Sequence, residues 1–312
     1  MSNVTVKTLE YASWGRCVQL SNGKVELIAT LDFGPRIIRY GFVGGENMLK
    51  EDAGRTLGNS DDAIQDAYGD RDWRIYGGHR LWVSPEVLPR TYYPDNAPVQ
   101  WSEVERGVKL TPPAEQGNGI QKEIELTLAA DSEEVTVTQR VTNVGAWPVE
   151  FAVWSLTVMD VGGREILPQN RRETGFLANR SLVLWPYTRM SDPRVRWGDN
   201  YIVIRQGDGP TPFKIGTANE AGWVAYENKG QLFIKYHPHN PDGVYPDFGV
   251  SYETYVCGDF IELETLGELK MVAPGQTAEH HEVWNLFAGV SLPGDDADEA
   301  ALEQALTAYL KK

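Results

Sequence analysis

The chain is short of cysteine, of basic residues and of long apolar runs, and each shortage excludes a class of protein. Its 312 residues include 2 cysteines, Cys17 and Cys257. They stand far apart and fit no disulfide framework, redox pair or zinc-ligand spacing. Lysine and arginine total 29 against 44 acidic residues, a formal net charge of -15. Binding to nucleic acid needs a basic face, so no nucleic-acid partner is expected. No apolar run reaches the roughly 18 residues of a membrane span, so no membrane partner is expected either. Met1 to Thr8 lack the apolar core of a secretion signal. The cytoplasm is the simplest location on this reading. The chain has no phosphate-cradling glycine loop, serine is scarce around His79, and neither cysteine sits in a reactive-looking setting. A serine or cysteine nucleophile is therefore not expected, and no cofactor is assigned.

What the chain does hold is aromatic and strand-forming. Hydrophobic residues make up 41%, with 10 Trp and 14 Tyr, a composition that favours strands and ring-lined clefts. Ser21-Asn22-Gly23-Lys24 separates two alternating runs, the strongest short hairpin signal. Residues 120–128, 135–142 and 149–159 alternate apolar and polar, as antiparallel strands with one buried face do. More strands are expected near 181–185, 201–205, 213–216, 222–227, 231–236 and 282–287. No helical period appears before about residue 297. There Asp295-Asp296 is expected to cap a helix over 297–310, with Leu302, Ala305, Leu306, Tyr309 and Leu310 on one face, packed on the sandwich edge. The chain thus reads as all-β, one large domain over 1–290 with a C-terminal helix in 291–312. Residues 51–72 read as a loop, with room for a short helical turn.

Two polar stretches stand out. Between Asp70 and Asn96 lie Trp73, Gly77-Gly78-His79-Arg80-Leu81-Trp82, Pro85-Glu86 and Tyr92-Tyr93-Pro94-Asp95-Asn96. Paired glycines and three prolines argue against a core strand or a helix here, so the stretch reads as irregular backbone carrying a binding site. The second stretch runs from Lys235 to Gly267. In an extended run through Phe260–Gly267, Glu262 and Glu264 share one face while Ile261, Leu263 and Thr265 share the other. Adjacent carboxylates need water, a cation or a donor-rich ligand in front of them. His237 and His239, near Asp242 and Asp247, have a spacing a metal could use, but Pro238 and Pro241 suit a ligand loop equally, and no metal is assigned.

These residues carry a resemblance. Asp32-Phe33-Gly34-Pro35-Arg36-Ile37-Ile38 with Glu46-Asn47-Met48-Leu49 resembles the opening of galactose-mutarotase-like (aldose 1-epimerase-like) proteins. Leu263-Glu264-Thr265, Leu269 and Ala273-Pro274-Gly275 resemble their closing strand pair. Gly77 to Trp82, Pro85-Glu86, Tyr93 to Asn96 and Tyr245-Pro246-Asp247 are similar to one family within that superfamily. The resemblance implies an antiparallel β-supersandwich with a sugar-binding face, a small-molecule carbohydrate as partner, and Glu264 as catalytic base. It departs from the pattern in mid-chain, where Val153-Trp154-Ser155-Leu156 lacks the general-acid histidine of mutarotases, and their Asn-Arg motif is also missing. The expectation is an enzyme acting by general acid–base catalysis at the anomeric carbon of a sugar or sugar acid, with Glu264 as base and His79 as acid. Arg36, Arg80, Trp82, Glu86, His237, Asp247, Glu253 and Glu262 are the expected substrate-binding residues. The alternatives are a non-catalytic carbohydrate-binding protein, or a lyase or hydrolase on the same scaffold.

Overall fold

Period-two alternation builds the molecule. In Val135–Asn143, for example, Val135, Val137 and Val141 are fully buried on one side of the strand. The structure is a computed structural model that describes residues 4–69, 72–209, 211–295 and 297–311. Asp70 and Asp296 lie outside these residues.

Two antiparallel sheets stack face to face among the described residues. The first runs in the order Thr5–Glu10, Arg16–Ser21, Val25–Thr30, Ile37–Phe42, Gly78–Ser84, Val149–Met159, Ile261–Leu266, Tyr252–Val256, Phe213–Thr217, Val183–Leu184, with Lys270–Val272 paired to Val149–Met159. The second runs Val195–Trp197, Tyr201–Arg205, Arg164–Pro168, Trp223–Asn228, Gln231–Tyr236, Thr277–Ala288, Val135–Asn143, Ile120–Leu128, Gly107–Thr111, Gln100–Val104. The main core lies between them, with Leu27, Leu81, Val153 and Leu263 from the first sheet against Val137, Phe233, Trp284 and Leu286 from the second. Burying each such side chain is worth about 1.5–3 kcal/mol. This is the antiparallel β-supersandwich that the resemblance implied. At the expected hairpin, Asn22 Oδ1 accepts from the Lys24 and Val25 amides.

Gly77 to Trp82 departs from expectation. It is not irregular backbone: Gly78–Ser84 is a strand whose seven residues are all buried, paired with Val149–Met159 on one side and bridged to Ile37–Phe42 on the other. The glycines explain why. Gly77 and Gly78 have φ of +98° and +63°, and a Cβ on them would stand 2.2 Å from the carbonyl oxygens of Lys50 and Ile37 respectively. They let the chain pass under its neighbours, after which the strand alternates normally. Residues 51–72 are likewise more ordered than expected: Gly58–Ser60 pairs with Asp72–Arg74, and helix Asp62–Tyr68 lies between them. The C-terminal helix spans Glu299–Leu306 and is capped by Asp298, whose carboxylate accepts from the Ala300 amide. Leu302 and Leu306 pack on Ile166, Val203, Ala225 and Ile234, so the helix covers the outer face of the second sheet rather than its edge.

Gly78→Ala forces a Cβ into a left-handed position against backbone. It should destabilise the protein by more than about 2 kcal/mol in urea unfolding. A wild-type midpoint would contradict the close-approach account.

Candidate functional site

Strand parity decides which side chains leave the core. In Gly78–Ser84, His79, Leu81 and Val83 point between the sheets, while Arg80 and Trp82 point outward. In Val149–Met159 the outward residues include Trp154 and Leu156. In Ile261–Leu266 they include Glu262 and Glu264, in Tyr252–Val256 Glu253 and Tyr255, and in Phe213–Thr217 Lys214. Register aligns them in rows: Arg80 opposes Leu156, which opposes Glu264, which opposes Glu253. One step along, Glu262 opposes Tyr255, which opposes Lys214. Over this outer face lies a cleft of about 480 Å³, walled by Arg80, Trp82, Lys214, Glu262 and Glu264 and roofed by Leu57, Gly58 and Asn59. That size lies within the usual range for small-molecule sites. A neighbouring space of about 390 Å³ is lined by Glu86, Asp247, Glu253 and Trp185 among others.

The cleft floor is electrostatically unusual. Lys214 Nζ lies 2.8 Å from Glu253 Oε2 and 3.0 Å from Glu264 Oε2, with all three side chains buried. The same ammonium stands 4.8 Å from the ring centroids of Trp154 and of Trp185. Trp154 Nε1 donates to Glu264 Oε2 at 3.0 Å. Burial alone would lower the Lys214 pKa; the two carboxyls outweigh it and hold it well above its ordinary value. Burial raises Glu264 to about 6 against the pull of Lys214. Burial also raises Glu253 well above the carboxylate range, with Glu264 adding to it. One cation cannot hold two buried carboxylates charged, so the pair keeps a proton where isolated carboxyls would have lost theirs.

Beside this triad, Arg80 Nη1 pairs with Glu262 Oε1 at 2.9 Å, and its guanidinium lies 4.3 Å from the Trp82 ring centroid and 5.2 Å from that of Trp73. Glu264 Oε1, Glu253 Oε1, Arg80 Nε and Trp73 Nε1 are buried without a hydrogen-bond partner among the described residues. Unmet donors and acceptors of this kind on cleft-lining residues are what a polyhydroxylated ligand would satisfy.

Of the expected site residues, Glu264, Glu262, Arg80, Trp82, Glu86, Asp247 and Glu253 line this cleft and its neighbour. Three do not. His79 faces the second sheet, its Nδ1 2.8 Å from Thr157 Oγ1 and its Nε2 3.3 Å from Gln139 Oε1. Burial, with Lys235 nearby, holds its pKa well below the ordinary histidine value, so it is neutral and on the wrong side of the sheet for an acid acting with Glu264. His237 also faces inward, stacked on Tyr252 and 3.3 Å from Asn219 Nδ2, and burial lowers it to about 3. Arg36 forms an ion pair with Asp95 at 2.5 Å beside a separate pocket of about 60 Å³ that shares no lining residue with the cleft. His239 Nδ1 lies 2.8 Å from Ser251 Oγ, and the ring stacks on Tyr245.

Sequence reasoning missed Lys214, Trp154 and Trp185; Trp73 lay in the stretch read as a binding site but was given no role there. The signal for Lys214 was slight: a lone lysine alternating with Phe213 and Ile215, on the face away from the core.

No protein-family model matches the chain, and no curated protein matches it. Solved structures do. A galactose mutarotase-like protein from Clostridium acetobutylicum aligns over 92% of this chain and 100% of its own, with a TM-score of 0.51 and 11% identity. A galactose mutarotase-like protein from Lactobacillus casei ATCC 334 aligns over 87% of this chain and 100% of its own, with a TM-score of 0.50 and 13% identity. The fold is that of the galactose-mutarotase-like proteins. The same fold occurs within a TPR-domain containing protein from Parabacteroides distasonis ATCC 8503, with a TM-score of 0.60 and 14% identity over 91% of this chain. The chain spans 48% of that protein's length. At these identities the likeness is one of scaffold. On this mutarotase-like scaffold the mid-chain strand carries Trp154 in its outward row, donating to Glu264.

Lys214→Met removes the shared cation. It should cost about 3–5 kcal/mol at pH 7, the usual penalty for orphaning buried charge. A carboxyl whose folded pKa is raised contributes stability that is lost as pH rises through that value. Part of the loss should therefore be regained at pH 5, where Glu253 and Glu264 take up protons. Urea unfolding at both pH values checks this; equal losses would contradict the shared-cation description.

Proposed function

We propose that the protein is a carbohydrate-active enzyme of the aldose 1-epimerase kind, acting on a small sugar in the cleft above Lys214. One observation carries this reading: Glu264 and Glu253 stand opposite each other in register, share one ammonium, and each keep an unpartnered oxygen. Interconverting anomers needs a base for the O1 proton and an acid for the ring oxygen, and help of this kind is worth about 10²–10⁴-fold. Two carboxyls whose proton affinities differ fill both roles.

Glu264, the lower of the two, takes the O1 proton. Glu253 gives its proton to the ring oxygen as the C1–O5 bond breaks and the C1–O1 bond becomes a carbonyl. Rotation about C1–C2 presents the other face of the aldehyde. Reclosure reverses both transfers, with Glu253 recovering its proton from the ring hydroxyl and Glu264 returning one to O1. Lys214 favours the charged form of whichever carboxyl has lost its proton. Arg80 and Glu262 orient hydroxyls, and the Trp82 and Trp154 rings offer apolar faces. This assigns the acid to Glu253 in place of His79. The missing mid-chain histidine favours a second reading, a carbohydrate-binding protein using the same cleft without turnover.

Anomer equilibration followed by proton NMR separates the two. Glu264→Gln should lower the rate at least about 10²-fold while sugar binding persists. The wild-type rate should rise with pH through about 6 as Glu264 ionises. His79→Asn should leave that rise in place. A binding protein would bind sugars and leave the equilibration rate of every one unchanged.

A further inference from the structure

The two spaces above the sheet are compartments of one cleft. They share Asn59, Glu86, Tyr92 and Trp154 as lining residues. Glu264 lines the inner compartment and Glu253 the outer. If Glu264 takes the O1 proton and Glu253 protonates the ring oxygen, the sugar's orientation follows from covalent geometry. O1 points to the inner side of the triad and O5 to the outer side. In a pyranose, C5 is bonded to O5 and carries C6. The C6 substituent therefore projects into the outer compartment.

The walls of that compartment say what it accepts. It carries the Trp185 ring and the Leu88 side chain, which is 43% exposed, as apolar surface, and Glu86, Asp247 and Glu253 as acceptors. Among the described residues, none of the eight that line it is basic. The backbone beside it is strained. In the turn Pro246–Gly249, Asp247 and Phe248 have φ of 49° and 64°, a left-handed conformation costly for residues with a Cβ. The turn sets Asp247 in the outer wall, 3.3 Å from Ser84 Oγ, and leaves the Phe248 ring 94% exposed. Strain of this kind persists where the surroundings hold it, and it clusters at ligand sites.

Resting on the acid–base reading above, we infer that the substrate is a reducing sugar bearing a neutral second ring on C6, a 1→6-linked disaccharide or chain end, with that ring in the outer compartment against Trp185 and Leu88. A phosphate or other anion on C6 would stand beside the carboxyl side chains of Glu86 and Asp247, and the nearby Lys214 ammonium is already shared by Glu253 and Glu264, so such a group is rejected.

The test compares isomaltose, glucose, maltose and glucose 6-phosphate, with anomer exchange and saturation-transfer NMR measured on the same samples. The expected kcat/KM for isomaltose exceeds those for glucose and maltose by about ten-fold, the factor that ~1.4 kcal/mol of ring contact makes. Glucose 6-phosphate falls below glucose by at least about the same factor. Trp185→Ala and Leu88→Ala, taken separately, should each shrink the isomaltose-over-glucose ratio, a comparison internal to each variant and independent of how much of it folds. Exchange on all four sugars without preference for the 1→6 link would overturn the inference and leave the acid–base reading standing, as would a preference for glucose 6-phosphate. If no sugar exchanges, the acid–base reading fails. Methyl isomaltoside, which cannot exchange anomers, then decides the compartment: saturation reaching both rings, and lost from the second ring in Trp185→Ala, supports it, and saturation of neither or of one ring overturns it.

Discussion

A single ammonium, that of Lys214, lies within 3.0 Å of two carboxyls on neighbouring strands, and among the described residues no other cation is this close to either. Everything on the outer face of the first sheet is arranged around that imbalance. Charging both carboxyls at once would leave one uncompensated in a buried site, which costs several kcal/mol. The pair answers by keeping a proton, and one of its members is then an acid and the other a base. Arg80 and Glu262 form a second ion pair one strand position away, packed under the Trp73 and Trp82 rings.

The sheet that carries the triad is held from behind by polar groups as well. On its inner face, Lys235 Nζ lies 2.7 Å from Glu282 Oε1 and donates to Thr157 Oγ1 and to the Leu263 carbonyl, both at 2.9 Å. Leu263 is the residue before Glu264. Thr157 in turn meets His79, and Thr265 meets His280 at 2.8 Å. Here one cation faces one carboxylate and the partners are satisfied, so the network ties three strands of the first sheet to the second. The contrast between the two faces is informative: the inner pair is balanced and enclosed, and the outer triad is unbalanced with oxygens left over.

Much of this was legible from period two alone. The shared face of Glu262 and Glu264 followed from alternation, and so did the sandwich itself. His79 shows where the reading went astray. The paired glycines made Gly77 to Trp82 look irregular, so parity was not applied to it, although in a strand His79 and Arg80 must point to opposite faces. The glycines mark a tight passage under Lys50 and Ile37, which depends on chain segments distant in sequence. Lys214 was hidden for a related reason. Its partners come from two strands far along the chain, Tyr252–Val256 and Ile261–Leu266, and no local pattern states that Phe213–Thr217 pairs beside them. Trp154 and Trp185 read as ordinary strand aromatics until register set them around the same ammonium.

The shared proton is open to direct observation. Carbon-13 labelling of glutamate side-chain carboxyls, assigned with Glu253→Gln and Glu264→Gln, gives each group's ionisation as a function of pH. The account predicts that one of the two resonances stays in the protonated position through neutrality while the other titrates near 6, and that Lys214→Met moves both upward. Two carboxyls ionising independently near the ordinary glutamate value of about 4.3 would contradict it.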